Sequence, residues 1–326
     1  MTSNNTDGVS MALQKLESLE QRRLNHDIEL LRLQKRDLTF RRLRFFIPLL
    51  LMLAYLAKVS LVDADAGMPD EPYVSVVNIR GEIGEGKSAS PEVINPLLDK
   101  AFADDEALGV VVSISSPGGA PVASDEIRTH IVSLRKEYPD KPVIVYGSEM
   151  LTSGAYLIAS GSDQIYANPN STVGSIGVII RGFGFYELAS KLGIERRILA
   201  AGEHKSRMDP FQPLNESDKR KMLKMINKIH LTFIDTVKQA RGDRITKTFP
   251  ELFSGDYWTG AEALSYGLLD GVGTFDDVLT EVFGTSETKS YRTKKSLLKI
   301  LTEPVMSVLK LGVDEQSNSP FRLLPW

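Results

Sequence analysis

A chain of 326 residues with 39 Lys and Arg against 42 Asp and Glu carries a formal net charge of −3. That balance excludes a nucleic-acid binder held by bulk positive charge. The lack of cysteine excludes a disulfide framework, a thiol nucleophile and a thiolate-ligated metal.

In the first 44 residues Leu13, Leu16, Leu19, Leu24, Ile28, Leu31 and Leu38 recur at helical spacing among charged side chains. The pattern predicts a charged helical segment that pairs as a coiled coil or lies on the inner membrane surface. Residues 45–62 form an apolar run broken only by Pro48, Lys58 and Ser60. Its length is at the short end for a membrane span. Arg41, Arg42 and Arg44 precede it, whereas Asp63, Asp65, Asp70 and Glu71 follow. Positive charge stays inside. The expectation is a single-pass anchor in the cell inner membrane, with a cytoplasmic N-terminus and the remaining chain on the periplasmic or extracytoplasmic side. Ala64-Asp65-Ala66 resembles a signal-peptidase site, but the long stretch ahead of the run favours an uncleaved anchor. Residues 63–72 are a linker.

From residue 73 short β-like runs alternate with helical patterns. Strands are predicted at 73–79, 108–114, 143–146, 164–167 and 178–180. Helices are predicted at 91–102, 122–137, 154–160, 186–192, 215–239, 258–266 and 276–283. Ser90 and Asn215 are expected caps, and Pro91 opens its helix. This alternation predicts an α/β domain over 73–283 with a largely parallel sheet, its site at the carboxyl ends of the strands. Residues 284–326 read as a basic amphipathic C-terminal tail.

Two of those strand ends carry chemistry. Residues 110–114 run into Ser115-Ser116-Pro117-Gly118-Gly119, and residues 143–146 lead to Thr152-Ser153-Gly154-Ala155-Tyr156. Ser153 beside glycine at a strand-to-helix turn is a candidate nucleophile. It needs a base. Lys205, in His204-Lys205-Ser206-Arg207-Met208-Asp209-Pro210-Phe211, has apolar neighbours. A lysine becomes a base when desolvation brings its pKa toward neutrality. The amide of Gly118 or Gly119, with that of Gly154, is a candidate pair for an acyl-transfer oxyanion, and Gly118 with Gly154 is the expected one.

Together with Ser171-Thr172-Val173-Gly174-Ser175-Ile176-Gly177-Val178, these segments resemble the signal peptide peptidase A family in order and spacing, over about 73–283. The family has a Clp protease/crotonase-like fold. The resemblance implies a membrane-anchored serine endopeptidase with a Ser153–Lys205 dyad and no cofactor. Ser175 would hydrogen-bond the lysine. The implied substrates are remnant signal peptides or other membrane-associated peptides. Some relatives carry two tandem copies of the fold and bring the serine and lysine from different halves. A single-copy chain is therefore expected to form a homo-oligomeric ring in which Lys205 serves a neighbour's Ser153.

Rival readings are weaker. Residues 81–88 fit the Walker A pattern, but Pro91 follows Lys87 too closely for lysine and serine to open the helix, and Glu82 and Glu85 would face phosphates. No nucleotide is expected. A histidine base would have to be His204, and adjacent side chains of an extended segment point oppositely, so only one of His204 and Lys205 can face the serine. A non-catalytic membrane scaffold of the same fold and a crotonase-like acyl-CoA enzyme are the remaining alternatives. The latter needs neither the lysine segment nor the anchor.

Overall fold

The computed structural model describes residues 71–245 and 250–292, together with helical positions 44, 46–48, 50–52 and 54. Those N-terminal positions belong to a separate unit, and their side chains, Phe46, Ile47, Leu50, Leu51 and Met52 among them, are exposed. Among the described residues no helix is long and apolar enough to cross a membrane. Most of the 1–44 segment, much of the 45–62 run and the tail beyond 292 lie outside the described residues.

The enzyme-like unit is built on an eight-stranded sheet: β1 (Tyr73–Arg80), β2 (Ala107–Ser116), β3 (Val143–Thr152), β4 (Gln164–Ala167), β5 (Thr172–Gly174), β6 (Tyr257–Thr259), β7 (Gly271–Val272) and β8 (Thr288–Tyr291). The main order is β6-β5-β3-β2-β1-β8, with β4 also on β3 and β7 on β4. Only β5–β6 is antiparallel. The expected α/β class and largely parallel sheet are thus observed.

The helices are α1 (Pro91–Phe102), α2 (Pro121–Glu137), α3 (Gly154–Ala159), α4 (Tyr186–Lys191), α5 (Glu216–Arg241), α6 (Gly260–Ser265) and α7 (Phe275–Phe283). Alternation along the strands divides the core. Val77, Ile79, Val112, Ile114, Val143 and Val145 join the cluster that holds Ile94, Leu98 and Phe102 of α1 and Ile127 and Ile131 of α2. Val74, Val76, Val111, Ile144 and Tyr146 join Val278 and Leu279 of α7 in a second cluster. Each fully buried Val, Ile, Leu or Phe contributes about 1.5–3 kcal/mol. This double coverage explains why 110–114 reads as an unbroken apolar run.

Three local expectations fail. Residues 178–180 form no strand. Residues 257–259 pair with β5 before α6 begins, because Thr259, capping α6 with Glu262 in a reciprocal box, starts that helix two residues later than expected. Ser90 stands at the N-cap of α1 without a side-chain capping bond, whereas Asn215 accepts the Ser217 amide at 2.7 Å.

The sheet also continues past residue 283. β8 is polar in sequence, and an ionic cluster fastens it: Lys289 Nζ lies 2.8 Å from Asp104, and Tyr291 and Tyr73 also donate to that carboxylate. Burial pushes the Asp104 carboxyl up, but hydrogen bonds from Lys289, Tyr291 and Tyr73 outweigh it and leave its pKa lowered. At the opposite side, buried Arg241 at the end of α5 grips Asp270 with two bonds of 2.7 and 3.0 Å and the Gly267 carbonyl at 2.9 Å.

Candidate active site

β3 runs through the middle of the sheet and ends at Thr152, paired with Gly174 of β5. Ser153 then turns the chain with φ 53° and ψ −123°. A non-glycine residue at such a φ costs of order 1–3 kcal/mol and persists only where its surroundings impose it. Here they do: the Ser153 amide donates to Gly174 O at 2.8 Å, and the Leu157 amide closes the first turn of α3 on Ser153 O at 3.0 Å. A serine at a helix N-cap ordinarily spends its hydroxyl on the first turn. Ser153 makes no such capping bond, so its hydroxyl is left for chemistry. A strained strand-to-helix turn is a recurrent way to present a nucleophile.

The glycine loop lies against this turn. Pro117 ends the β2 ladder, since it has no N–H to give. Gly118 follows at φ +103°, where a side chain is strained. A Cβ there would stand 2.7 Å from Ser153 Cβ and 2.8 Å from the Gly154 amide nitrogen. The Gly118 carbonyl accepts from Ile83 N–H, and Ile83 O accepts from Ala120 N–H, both at 2.9 Å. A Cβ on Gly119 would overlap Ile83 O, and one on Gly154 would overlap Ser124 Oγ. The two glycine segments therefore approach one another at backbone distance around Ser153.

The amides are not equivalent. Gly118 N–H donates to Ser116 Oγ at 3.1 Å. Among the described residues no acceptor is recorded for the amides of Gly119 or Gly154. Gly118, the expected donor beside Gly154, thus has its N–H on Ser116, whereas Gly119 and Gly154 have no recorded acceptor.

The structure does not bring Lys205 to Ser153 by a hydrogen bond or ion pair within one chain. Lys205 lies in a run of turns at 203–208, not an extended segment, and is exposed; its amide donates to Gly202 O at 3.1 Å. The loop is braced at its sides. Asp209 accepts from Arg196 Nε at 3.1 Å and from the Phe211 amide at 2.9 Å, and the Arg196 guanidinium sits 5.2 Å from the Phe211 ring centre. Arg207 Nε lies 3.1 Å from Asp218, a charge contact without hydrogen-bond geometry. The surrounding arm exposes Phe183 (82%), Leu192 (64%) and Leu199 (103%), unusual for large apolar side chains.

Ser175 is buried at φ 52°, and its amide donates to Asp256 O at 2.7 Å; no bond to Lys205 is recorded. His130 pairs with Asp99 at 2.6 Å, His230 meets Ile176 O at 2.9 Å, and His204 is exposed beside Glu203. None of the three is bonded to Ser153. In the Walker-like loop Lys87 is paired with Glu82 of the same loop at 3.1 Å, and Ile83 bridges to Ala89 and Gly119. Sequence reasoning passed over Ser116 and Ser124, which hold the glycine segments. A hydroxyl before Pro-Gly-Gly is a faint local signal, and Ser124 has none.

Residues 135–288 match the family model described as Peptidase family S49. The chain is 42% identical over 219 residues to a Brucella abortus (strain 2308) protein named "Na(+)/H(+) antiporter NhaA", covering 66% of this chain and 30% of that protein. It is 36% identical over 186 residues to "Putative protease MJ0651" of Methanocaldococcus jannaschii, covering 57% of this chain and 58% of that one. It is 30% identical over 211 residues to "Putative signal peptide peptidase SppA" of Enterococcus faecium, covering 63% and 60%. The chain thus spans less than two thirds of the length of each of these relatives.

Proposed function

The chain belongs to peptidase family S49, and on that premise we propose that it is a membrane-anchored serine endopeptidase of Clp protease-like fold, acting through Ser153 and Lys205. The observation that carries this reading is the strained Ser153, with an uncommitted hydroxyl, beside the free amides of Gly119 and Gly154.

Ser153 Oγ attacks the scissile carbonyl while the neutral Lys205 amine takes its proton. The carbonyl oxygen becomes an oxyanion held by the Gly119 and Gly154 amides. Gly118, the alternative donor, keeps its N–H on Ser116. Collapse of the intermediate expels the amine, which takes the proton from the lysine, and leaves an acyl-serine. Water, deprotonated by the same lysine, attacks this ester and releases Ser153.

Lys205 comes from a neighbouring subunit in a head-to-tail ring. The exposure of Lys205 and the apolar side chains of the arm support this assembly, since an interface there would cover Phe183, Leu192 and Leu199 and take the lysine out of water. Burial of an ammonium group favours its neutral form. Ser175 would then orient the incoming amine. The substrates are remnant signal peptides or other membrane-associated peptides, in keeping with the name of the Enterococcus relative. The apolar, exposed helical positions between 46 and 54, flanked by Arg44, support an inner-membrane anchor with the peptidase unit outside the cytoplasm.

Kinetics of single variants test the reading. Ser153→Ala and Lys205→Ala should each abolish peptide cleavage, whereas His204→Ala should stay active. Mixing the two dead variants under subunit exchange should restore part of the activity. No recovery despite exchange would place both groups in one subunit, and an active Lys205→Ala with a dead His204→Ala would reject the lysine base.

A further inference from the structure

We propose that Ser116 is a positioning residue that decides which glycine amide meets the oxyanion. The proposal rests on the serine-peptidase reading above.

Ser116 is the last residue of β2 and is fully buried. Its hydroxyl accepts from Gly118 N–H at 3.1 Å and lies 3.4 Å from Gly118 O, so one side chain holds both ends of that residue. Its carbonyl accepts from Thr152 Oγ1 at 3.4 Å, and Thr152 immediately precedes the nucleophile. Ser116 therefore ties the glycine loop to the strand end that presents Ser153. It lies in a bulge of the β2–β3 ladder, where register shifts between Ile114 and Ser116 and Ser116 pairs with Leu151.

The consequence is geometric. Gly118 has its amide turned to Ser116 and its carbonyl held by Ile83 N–H. With that residue held at both ends, the next amide, Gly119, has no recorded acceptor among the described residues. A Cβ on Gly154 would lie 3.1 Å from the Gly119 nitrogen, so this donor lies close to Gly154, the residue that follows the nucleophile. Without the Ser116 hydroxyl, the buried Gly118 N–H has no partner. An unpaired buried donor turns toward whatever acceptor it can reach. The loop would then re-aim toward the oxyanion position at the expense of Gly119. Ser116 would thus act on the transition state without touching substrate.

The test is steady-state peptide cleavage by the full-length protein, combined with inhibition by a peptide aldehyde, whose hemiacetal oxygen occupies the oxyanion position. Complete loss of one oxyanion donor lowers kcat by about 10²–10³-fold. Misaiming without loss should cost less, so Ser116→Ala is expected to lower kcat about 10–100-fold. KM should stay within about twofold, since only the transition state is affected. Aldehyde affinity should fall in parallel with kcat, and Ser116→Thr, which keeps the hydroxyl, should recover both. Ser160→Ala is the comparator: Ser160 is also buried, but its hydroxyl bonds Leu157 O within α3. It should change thermal stability without a selective loss of aldehyde affinity. If Ser116→Ala does not fold, Ser116→Cys, of similar size and with a weaker acceptor, carries the same comparison. Unchanged kcat in a folded Ser116→Ala would overturn the proposal, as would equal losses in KM and kcat with aldehyde binding intact. A wild-type protein with no peptidase activity would instead sink the serine-peptidase reading, and this proposal with it.

Discussion

At Gly154, beside the nucleophile, a single methyl group should do damage that a second substitution can undo. A Cβ on Gly154 would overlap Ser124 Oγ, a buried hydroxyl held by Ala120 O at 3.1 Å. Reaching an ordinary contact requires an opening of about 1 Å. Overpacking of this kind costs about 1–3 kcal/mol of stability. Displacement of about 1 Å between a nucleophile and its oxyanion donors costs about 10²-fold in rate. Gly154→Ala should therefore lower kcat by about that factor while the protein remains folded at 25 °C. Adding Ser124→Ala removes the overlapping oxygen. The new methyl then meets Ser124 Cβ at 3.3 Å and Gly119 N at 3.1 Å, which shifts of a few tenths of an ångström absorb. The double variant should regain most of the lost rate, whereas Ser124→Ala alone should cost about 1 kcal/mol of stability and little activity. The assay is a double-mutant cycle on kcat, with melting temperature measured alongside. A Gly154→Ala protein at wild-type rate would refute the steric argument. So would a double variant that recovers melting temperature but no activity.

Other consequences concern the scaffold and the topology. Arg241→Met leaves the partly buried Asp270 with one fewer partner and should destabilise the protein by about 1–3 kcal/mol in denaturant unfolding, while Arg241→Met with Asp270→Leu should cost less than Arg241→Met alone. Burial raises the Asp270 carboxyl, but hydrogen bonds from Arg241, the Ile165 amide and Arg244 win and hold its pKa low. Its stabilisation is therefore present above the unfolded carboxylate value and lost as pH falls through the folded one. The stability gap between wild type and Asp270→Asn should close below about pH 4; a gap constant from pH 7 to pH 3 would contradict this. Protease added to intact spheroplasts should digest the chain beyond residue 67 and spare the part before Arg44. Protection of the large unit would reverse the topology.

What the sequence revealed was what local chemistry controls. The apolar run at 110–114, the glycines after it and Ser153 after β3 each announce themselves within ten residues, and the sheet assembles them as expected. β8 did not announce itself. Thr288-Lys289-Ser290-Tyr291 is polar, and it becomes a strand because Asp104, distant in sequence, binds Lys289 and Tyr291. Residues 178–180 are apolar enough for a strand but pair with no strand among the described residues. The Gly118 N–H is taken by a hydroxyl two residues upstream, and periodicity carries no information about that bond. Lys205 is exposed in a run of turns and makes no bond to Ser153 within the chain, and no local pattern foretells that.

Ser153 labelling is the most direct measurement of the central claim. The full-length protein is treated with a fluorophosphonate, and the modified residue is mapped by peptide mass spectrometry in the wild type and in Lys205→Ala. A Ser153–Lys205 peptidase predicts a single adduct on Ser153, formed at least about 10²-fold more slowly without the lysine. An adduct on another residue, or Ser153 labelling at the same rate in Lys205→Ala, would contradict it.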